Sequence, residues 1–524
     1  MRFRRAAPGE ISIPRSTRSR MAIAALAGAA SVFSFAPFGW WPLQFICLAL
    51  LFYQALRADT IKTGALVGWA FGFGWCLANT HWLYIALNRF NGLPAPLAAA
   101  SITLLAAGMG LYAGMAMYCA LWLRRRWSLP LPAANLLVLP VLWAVFEWVR
   151  GWLFTGFPWA ASGYAHNVSP LGGYAPVIGV YGVSWLAALC AGALLLAMHR
   201  VRWAALGTAA AILVIGFALR GVDWTHPAGQ PISVRLIQGN TPLLQKFDAS
   251  YTEATLRRYH STITGEAADL IATPETAVML FPHQLPPDYL PGLGQFAKRS
   301  GSHLVVGIPL MDSPVQYSNS VIGIPPESGL PTYRYDKHHL VPFGEFIPPG
   351  FRWFTNLMQI PLGDQTRGKA VQAPFQVKSQ RILPNICYEN VFGEEIADQL
   401  AADANPATIL LNVSELAWYG ESIAIPQHVQ MSQMRSMETG RPLLAATNSG
   451  ATVMIDSHGA ITASLPYYQA GVLKASVQGM AGATPYIVMA NKLFLLLAAL
   501  AVGGAWWWSR IEARKSAKNH VTGA

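Results

Sequence analysis

Three residues in the C-terminal half of the chain have the side chains that covalent catalysis by a thiol requires. Cys387 is the only cysteine after Cys190, and Glu275 and Lys337 lie upstream of it. A thiol with an ordinary pKa is mostly protonated near neutral pH, so a base must take its proton when it attacks. Glu275 can be that base, provided that burial keeps its pKa near neutral. The ammonium group of Lys337 can stabilise the negative charge that develops on an attacked carbonyl oxygen.

The same residues admit plainer interpretations. Cys387 can be a buried, inert packing residue, and His338 and His339 beside the lysine can be an alternative base or can simply line a loop. The other cysteines lie in apolar segments, where they are most simply packing residues. Cys387 therefore has no partner for a disulfide within its own segment.

The segment that carries the three residues alternates between predicted strands and predicted helices. Short apolar runs predict strands at 232–237, 269–272, 304–308, 320–324, 382–386, 408–413, 442–447 and 451–455. Amphipathic runs predict helices at 251–270 and 429–439. Such alternation is typical of a layered α/β fold. Glu275 and Cys387 each follow a predicted strand end, where the catalytic groups of such folds collect, so we expect them to meet.

The rest of the chain has the composition of a membrane protein. The whole sequence is 53% hydrophobic and only 12% charged, and its apolar runs reach the roughly 20 residues that a membrane span needs. They predict about eight transmembrane helices, seven within 21–222 and the last at 487–508. The first two runs are short, so a tight hairpin or a partly re-entrant pair is possible there. A cleaved signal peptide is the alternative for the first run.

Basic residues are distributed unevenly between the loops of these predicted spans. Only Arg89, Arg150 and Arg220 fall on one side, whereas the two termini and the remaining short loops carry many more. By the positive-inside rule, both termini are cytoplasmic and the soluble segment lies on the far side, which is the periplasm in a bacterium with two membranes. Most of the net charge of +12 comes from these cytoplasmic loops and termini, where basic residues contact anionic lipid headgroups. We therefore expect no nucleic-acid partner.

Five segments follow from these patterns. We expect a basic cytoplasmic N-terminus over 1–20, a bundle of seven helices over 21–222 and a soluble catalytic domain over 228–484. A final transmembrane helix over 487–508 and a basic cytoplasmic tail over 509–524 complete the chain.

The order of glutamate, lysine and cysteine resembles the nitrilase superfamily. Further motifs make nearly the whole chain similar to the integral membrane branch of that superfamily, the apolipoprotein N-acyltransferases. These motifs are Gln238-Gly239-Asn240, residues 337–345, Cys387-Tyr388-Glu389, Ala417-Trp418-Tyr419-Gly420, residues 426–428 and residues 438–442. The predicted topology, with a soluble domain between the last two spans, is also similar.

The resemblance implies an α-β-β-α sandwich of the nitrilase type on a membrane helical bundle. It implies a ping-pong reaction in which Cys387 takes an acyl chain from a phospholipid, typically phosphatidylethanolamine, as a thioester. The amino group of a diacylglyceryl cysteine on an apolipoprotein then accepts the chain. Glu275 would be the base and Lys337 the oxyanion stabiliser. Supporting residues carried over by the motifs are Glu345, which would orient the lysine, Tyr388 and Glu389, which would shape the pocket, and Trp418.

The chain departs from the family pattern at a few positions. Where the family has Asn-Asp, this sequence has Glu415-Leu416, and where it has an arginine, this sequence has Ala445. A lid-like tryptophan is replaced by Phe247. These exchanges predict either a compensated pair of residues or a changed preference for headgroup or acceptor.

Three functions remain open on the residues alone. Acyl transfer to a lipoprotein amine is favoured, because many spans and aromatic outer loops suit a substrate in the bilayer. A membrane-tethered amidase or nitrilase acting on a small amide, and a non-catalytic lipid or lipoprotein binder, are the alternatives. Credible metal-ligand spacing and glycine-rich phosphate loops are missing from the sequence, so we expect neither metal nor cofactor, and we expect a monomer.

Overall fold

The computed structural model describes residues 16–197, 199–246, 248–348, 350, 352 and 364–521, with side chains through residue 514. Six of its helices are long and apolar enough to cross a membrane: Ile61–Thr80, Ala95–Arg126, Leu131–Thr155, Pro170–Leu195, Arg202–Leu219 and Lys492–Arg514. Two shorter helices, Thr17–Ala30 and Trp41–Leu56, precede them. The eight expected segments are thus all helical, and the two short ones are the first two.

The helices of the bundle differ in how much of their surface is buried by the rest of the protein. Within Pro170–Leu195, 78% of the most apolar stretch is buried inside the protein, against 11% within Arg202–Leu219. The first is therefore the central helix, whereas the second has most of its surface available to lipid. The last helix begins at Lys492, later than the expected 487, because Ala490 adopts a positive φ that ends the short helix Pro485–Met489.

The soluble domain contains two six-stranded sheets and a two-stranded ribbon. The strands are β1 (His226–Pro227), β2 (Ile232–Gln238), β3 (Leu270–Ala272), β4 (His303–Ser313), β5 (Gln316–Ile324), β6 (Tyr333–Asp336), β7 (Phe375–Val377), β8 (Gln380–Ile386), β9 (Ile409–Ser414), β10 (Leu443–Thr447), β11 (Val453–Ile455), β12 (Ile461–Ser464), β13 (Gly471–Val477) and β14 (Met480–Ala481). The first sheet has the order β13-β2-β3-β4-β5-β6, and the second has the order β12-β11-β10-β9-β8-β7. Strands β1 and β14 pair antiparallel in the ribbon.

These elements stack in four layers. Ile232, Val234 and Leu236 of β2 share an apolar cluster with residues of the second sheet, so the two sheets pack face to face. The opposite face of the first sheet packs on helices Ala249–Thr264 and Tyr289–Ser300. Helices Gly393–Ala402 and Ala424–Thr439 cover the second sheet. The domain is therefore an α-β-β-α sandwich, as the sequence pattern predicts.

Several predicted boundaries were wrong. The helix expected over 251–270 ends at Thr264, because Gly265 follows it and the chain turns into β3. Strands β6, β7, β12 and β13 were not predicted, since they are short or carry exposed polar residues that interrupt the apolar pattern. Both errors come from reading one chain segment without the neighbours that complete its hydrogen bonds.

The sandwich and the membrane bundle share one core. Helix Ala424–Thr439 belongs to the outer layer of the sandwich, yet nearly all of its residues are buried. Its Met431, Met434 and Met437 lie in the same apolar cluster as the membrane helices. The outer face of that helix is thus covered by the bundle instead of water.

Candidate active site

Cys387 lies at a sharp turn between β8 and a short 3₁₀ helix, Cys387–Val391. Its φ of 54° is in the left-handed region, which is strained for a residue with a side chain. Such strain is kept where the surrounding structure fixes the geometry, and it often marks functional positions. The residue is only 8% exposed, and the turn directs the chain out of the sheet at the carboxyl end of β8.

The carboxylate of Glu275 is held by three donors. Its Oε1 atom accepts a hydrogen bond from Asn319 Nδ2 at 2.7 Å and lies 3.3 Å from Lys337 Nζ. Its Oε2 atom accepts the main-chain N–H of Glu415 at 2.8 Å. Glu275 follows β3 and Glu415 follows β9, so the carboxyl ends of strands from both sheets meet here, as expected for the strand-end residues.

Lys337 follows β6 and is 1% exposed. Its Nζ atom donates to Glu345 Oε1 at 2.7 Å as well as contacting Glu275. Glu345 Oε2 accepts the main-chain N–H of Val341 at 2.8 Å, which fixes the second carboxylate within the lysine loop. Asn319 Nδ2 also lies 3.3 Å from Glu345 Oε1 and so bridges the two carboxylates. A single ammonium is therefore shared by two oriented carboxylates.

The charges around the thiol favour a neutral thiol beside an ionised Glu275. Burial alone would raise the pKa of Glu275, but Lys337 and Lys246 together with its hydrogen bonds bring that pKa below its usual range. From the sequence, the role of Glu275 as base was conditional on burial that keeps its pKa near neutral, and the two ammonium groups, which were not included there, oppose that effect of burial. Burial and then the charge of Glu275 raise the pKa of the Cys387 thiol, against the opposing effect of Lys337. The carboxylates raise the pKa of Lys337 despite its burial, so it stays protonated.

Glu389 connects two segments of the site. One is the turn over residues 386–391, called the nucleophile turn after the role proposed for Cys387, and the other is the lysine loop over residues 337–345. Its Oε2 atom accepts the N–H of Ile386 at 2.6 Å and the hydroxyl of Tyr335 at 3.1 Å. Its Oε1 atom accepts the N–H groups of His338 at 2.6 Å and His339 at 3.2 Å. Burial raises the pKa of Glu389, and these donors and Lys337 oppose that effect. The side chain thus holds the residues adjacent to Cys387 and to Lys337.

His339 and Tyr388 both contact the membrane domain. His339 Nε2 contacts the carbonyl of Thr155 at 2.9 Å, and the hydroxyl of Tyr388 donates to the carbonyl of Gly156 at 3.1 Å. The other ring nitrogen of His339 pairs with Glu395, and His338 Nδ1 contacts the carbonyl of Gly368. These contacts favour positioning the loop over the alternative role of base.

The remaining predicted residues lie further out. Trp418, in the 3₁₀ helix Ala417–Tyr419, has its ring 6.0 Å from that of Phe90 in the membrane domain. Phe247 lies outside the described residues. Leu416 and Ala445, two positions at which the sequence departs from the expected motifs, belong to one apolar cluster.

Sequence reasoning missed Asn319, Lys246 and the main-chain N–H of Glu415. Asn319 had a usable signal, since it is a polar residue within the apolar strand β5. Lys246 also had a usable signal, since it directly precedes Phe247, which the sequence analysis had singled out. An N–H group carries no sequence signal of its own. Among the residues that the structure describes, none form a group of three or more His, Cys, Asp or Glu placed to hold a metal.

Comparison with known proteins covers both parts of the chain. Residues 27–193 match the family described as apolipoprotein N-acyltransferase N-terminal domain, and residues 233–486 match carbon-nitrogen hydrolase. A relative from Ralstonia nicotianae, named apolipoprotein N-acyltransferase, is 45% identical over 488 residues, covering 91% of this chain and 92% of its own. One of the same name from Bordetella bronchiseptica is 41% identical over 519 residues, covering 91% and 95%.

Two solved structures similar to the chain each cover about half of it. A CN-hydrolase superfamily protein from Xanthomonas campestris has a TM-score of 0.35 and 16% identity, covering 48% of this chain and 91% of its own. The amidase from Nesterenkonia sp. AN1 has a TM-score of 0.35 and 18% identity, covering 51% and 97%.

A carbon-nitrogen hydrolase domain carried on a membrane helical bundle is the class that the fold and the family matches define. Its relatives show more, because they are 40–45% identical over about nine-tenths of the chain. The chain belongs to the apolipoprotein N-acyltransferase family, and it is an acyltransferase of a bacterial membrane.

Proposed function

We propose that the protein transfers an acyl chain from a phospholipid to the N-terminal amine of a diacylglyceryl cysteine on an apolipoprotein, through a thioester on Cys387. The observation that carries this proposal is the grouping of Cys387, Glu275 and Lys337 at one strand-end edge, next to loops of the membrane domain. A neutral thiol beside an ionised carboxylate is suited to proton transfer during attack.

In the first half-reaction, Cys387 Sγ attacks the ester carbon of the phospholipid while Glu275 takes the thiol proton. Lys337 stabilises the oxyanion of the tetrahedral intermediate. The carbon–oxygen bond then breaks, and the lysophospholipid leaves with the proton that Glu275 returns. The enzyme keeps the acyl chain as a thioester.

In the second half-reaction, the neutral amine of the lipoprotein attacks the thioester carbon and Glu275 takes one of its protons. The carbon–sulfur bond breaks and the proton passes to the departing sulfur, which restores the thiol. The product is an amide, which is more stable than a thioester, so this step runs forward.

The site would face the periplasm, with both termini in the cytoplasm, as the distribution of basic loops predicts. Contacts of His339 with Thr155 and of Tyr388 with Gly156, at the end of a membrane-spanning helix, support a substrate delivered from the bilayer. Phosphatidylethanolamine is the proposed donor, and the proposed acting form is a monomer.

The test is intact-protein mass spectrometry after incubation with phosphatidylethanolamine and no acceptor. Wild type should gain the mass of one acyl chain, which hydroxylamine removes and a diacylglyceryl cysteine peptide discharges. Cys387→Ala should gain nothing, whereas Cys190→Ala, a matched removal of a buried cysteine in a membrane helix, should behave as wild type. An unmodified wild type that releases no lysophospholipid refutes the proposal. Discharge by water alone, with the peptide left unacylated, favours an amidase-like hydrolase.

A further inference from the structure

A second buried ion pair lies directly behind Glu275. Lys246 Nζ and Glu415 Oε2 are 2.6 Å apart, and the two side chains are only 3% and 4% exposed. Lys246 ends the short helix Leu243–Lys246, which follows β2, and Glu415 follows β9. Taking two charges out of water is costly, and an apolar pair of the same size is often as stable. A stability contribution alone therefore gives little reason for this pair.

Both members of the pair also bind Glu275. Lys246 Nζ donates to the main-chain carbonyl of Glu275 at 3.0 Å. The main-chain N–H of Glu415 donates to the Glu275 carboxylate at 2.8 Å. With the ion pair itself, these contacts close a ring that holds Glu275 at its backbone and at its carboxylate.

Both carboxylate oxygens of Glu415 have hydrogen-bonding partners, and Oε2 is the one that pairs with Lys246. Its Oε1 atom accepts the N–H of Ala417 at 3.2 Å and Asn448 Nδ2 at 3.1 Å. Asn448 exchanges two hydrogen bonds with the main chain of Thr241, at 3.0 and 2.8 Å. The side chain of Glu415 thus fixes the direction of its own N–H, which is the group that Glu275 needs.

We propose that Lys246 and Glu415 form a positioning pair, which orients the Glu275 carboxylate toward the thiol and balances the charge behind it. This extends the proposed function, because it rests on Glu275 acting as the base for Cys387. Neither residue touches substrate in the proposal. Glu415 occupies a position where the chain departs from its family's pattern, and its charge there is matched by Lys246.

The electrostatic part of this role has opposite signs for the two residues. The charged or titratable groups that act on Glu275 or on its thiol are Lys337, Glu345, Lys246, Glu415, Cys387, His428 and Tyr419. Removing the ammonium of Lys246 leaves the negative charge of Glu415 near Glu275, so Glu275 is protonated at higher pH. Removing the charge of Glu415 leaves an unbalanced ammonium, so Glu275 stays ionised to lower pH.

The test measures alkylation of Cys387 by iodoacetamide in the detergent-purified full chain as a function of pH. The rate is taken from the mass of the peptide that contains Cys387, so no lipid substrate is needed. The variants are Lys246→Met, Glu415→Gln and the double variant. The control is Lys474→Met, which breaks an ion pair with Glu266 that is more than half exposed on both partners, at 57% and 51%.

The acid limb of each profile is the pH range in which alkylation slows as Glu275 becomes protonated. For Lys246→Met this limb should move up by about one pH unit, the usual effect of one near charge. The limb of Glu415→Gln should stay at or below that of wild type, and the double variant should return toward wild type. The control should match wild type. Should all variants share one limb and differ only in overall rate, the pair is merely structural and the proposal is overturned.

Two further readouts keep the result interpretable. If Lys246→Met does not fold, judged by its melting profile in detergent, Glu415→Gln carries the comparison: its acid limb should then lie below that of wild type and of the double variant, and a limb shared by all three overturns the proposal. A failure of the acyl-adduct experiment leaves this alkylation test intact, so loss of the proposed function and loss of the positioning role are distinguished.

Discussion

Glu389→Gln is expected to disconnect the nucleophile turn from the lysine loop with almost no change in volume. Glu389 accepts four hydrogen bonds, three of them from main-chain N–H groups that cannot turn away. Glutamine offers one oxygen and one NH₂ group. The hydroxyl of Tyr335 can accept a hydrogen bond as well as donate one, so the NH₂ group is expected at the position of Oε2, next to Tyr335. There it faces the N–H of Ile386, and two donors are left without an acceptor between them.

The magnitude follows from this arrangement. One buried N–H left without a partner costs about 1–3 kcal/mol, and the two bonds kept by the oxygen lose about 1 kcal/mol each when its charge is removed. Burial raises the pKa of Glu389, so losing the charge recovers part of the sum. We expect a net destabilisation of about 3 kcal/mol. Displacing Cys387 against Lys337 by a fraction of an ångström should slow thioester formation by about 100-fold.

The assay is single-turnover formation of the acyl adduct by mass spectrometry, with a melting profile in detergent recorded for each variant. The matched control is Glu395→Gln, whose carboxylate contacts the ring of His339 and is 31% exposed. We expect that control to remain within about threefold of wild type, since partly exposed pairs contribute little. If Glu389→Gln forms the adduct at nearly the wild-type rate, the connection between the two loops is not what positions the thiol.

Three further outcomes are expected. Glu275→Gln should slow alkylation of Cys387 near neutral pH by about 100-fold, as loss of a general base does; a faster reaction would show a pre-formed thiolate instead, because Glu275 raises the pKa of the thiol. The acid limb of wild-type alkylation should fall below pH 4.5, the ordinary pKa of a glutamate, since Lys337 and Lys246 lower the pKa of Glu275. A limb near neutrality would contradict this. Burial raises the pKa of Glu438 from 4.5 to about 7, so the folded state holds a proton that the unfolded state releases. The melting temperature should therefore decline as the pH rises from 4.5 to 7, and Glu438→Gln should flatten that decline.

Two of the three candidate catalytic residues follow a local rule in the sequence. Cys387 directly follows β8, and Glu275 lies a few residues after β3. Each apolar run and the polar residue that ends it can be seen within a single short segment. Strand β3 belongs to the first sheet and β8 to the second, so the meeting of the two residues also depends on how the two sheets face each other.

The surroundings that set the chemistry could not be predicted in this way. The low pKa of Glu275 depends on Lys246 and Lys337, and its orientation depends on the main-chain N–H of Glu415. These groups come from the ends of β2, β6 and β9, and no periodicity relates one to another. Their proximity depends on the order of strands in two sheets and on how those sheets face each other. The sequence thus predicts candidate catalytic residues, while their contacts and protonation states depend on the assembled fold.

The membrane bundle contributes to the site as well as anchoring it. Gly156, with a φ of 81°, turns the chain so that its carbonyl meets the hydroxyl of Tyr388, the residue after the nucleophile. Deeper in the same interface, Trp159 Nε1 donates to Gln427 Oε1 at 2.7 Å, and Gln427 Nε2 donates to Asn79 Oδ1 at 3.0 Å. Because these polar groups are buried together, separating the sandwich from the bundle would leave them unpaired at considerable cost. The turn that carries Cys387 therefore takes its shape from both domains, so the acyl transfer proposed for this thiol would take place beside the membrane-spanning helices.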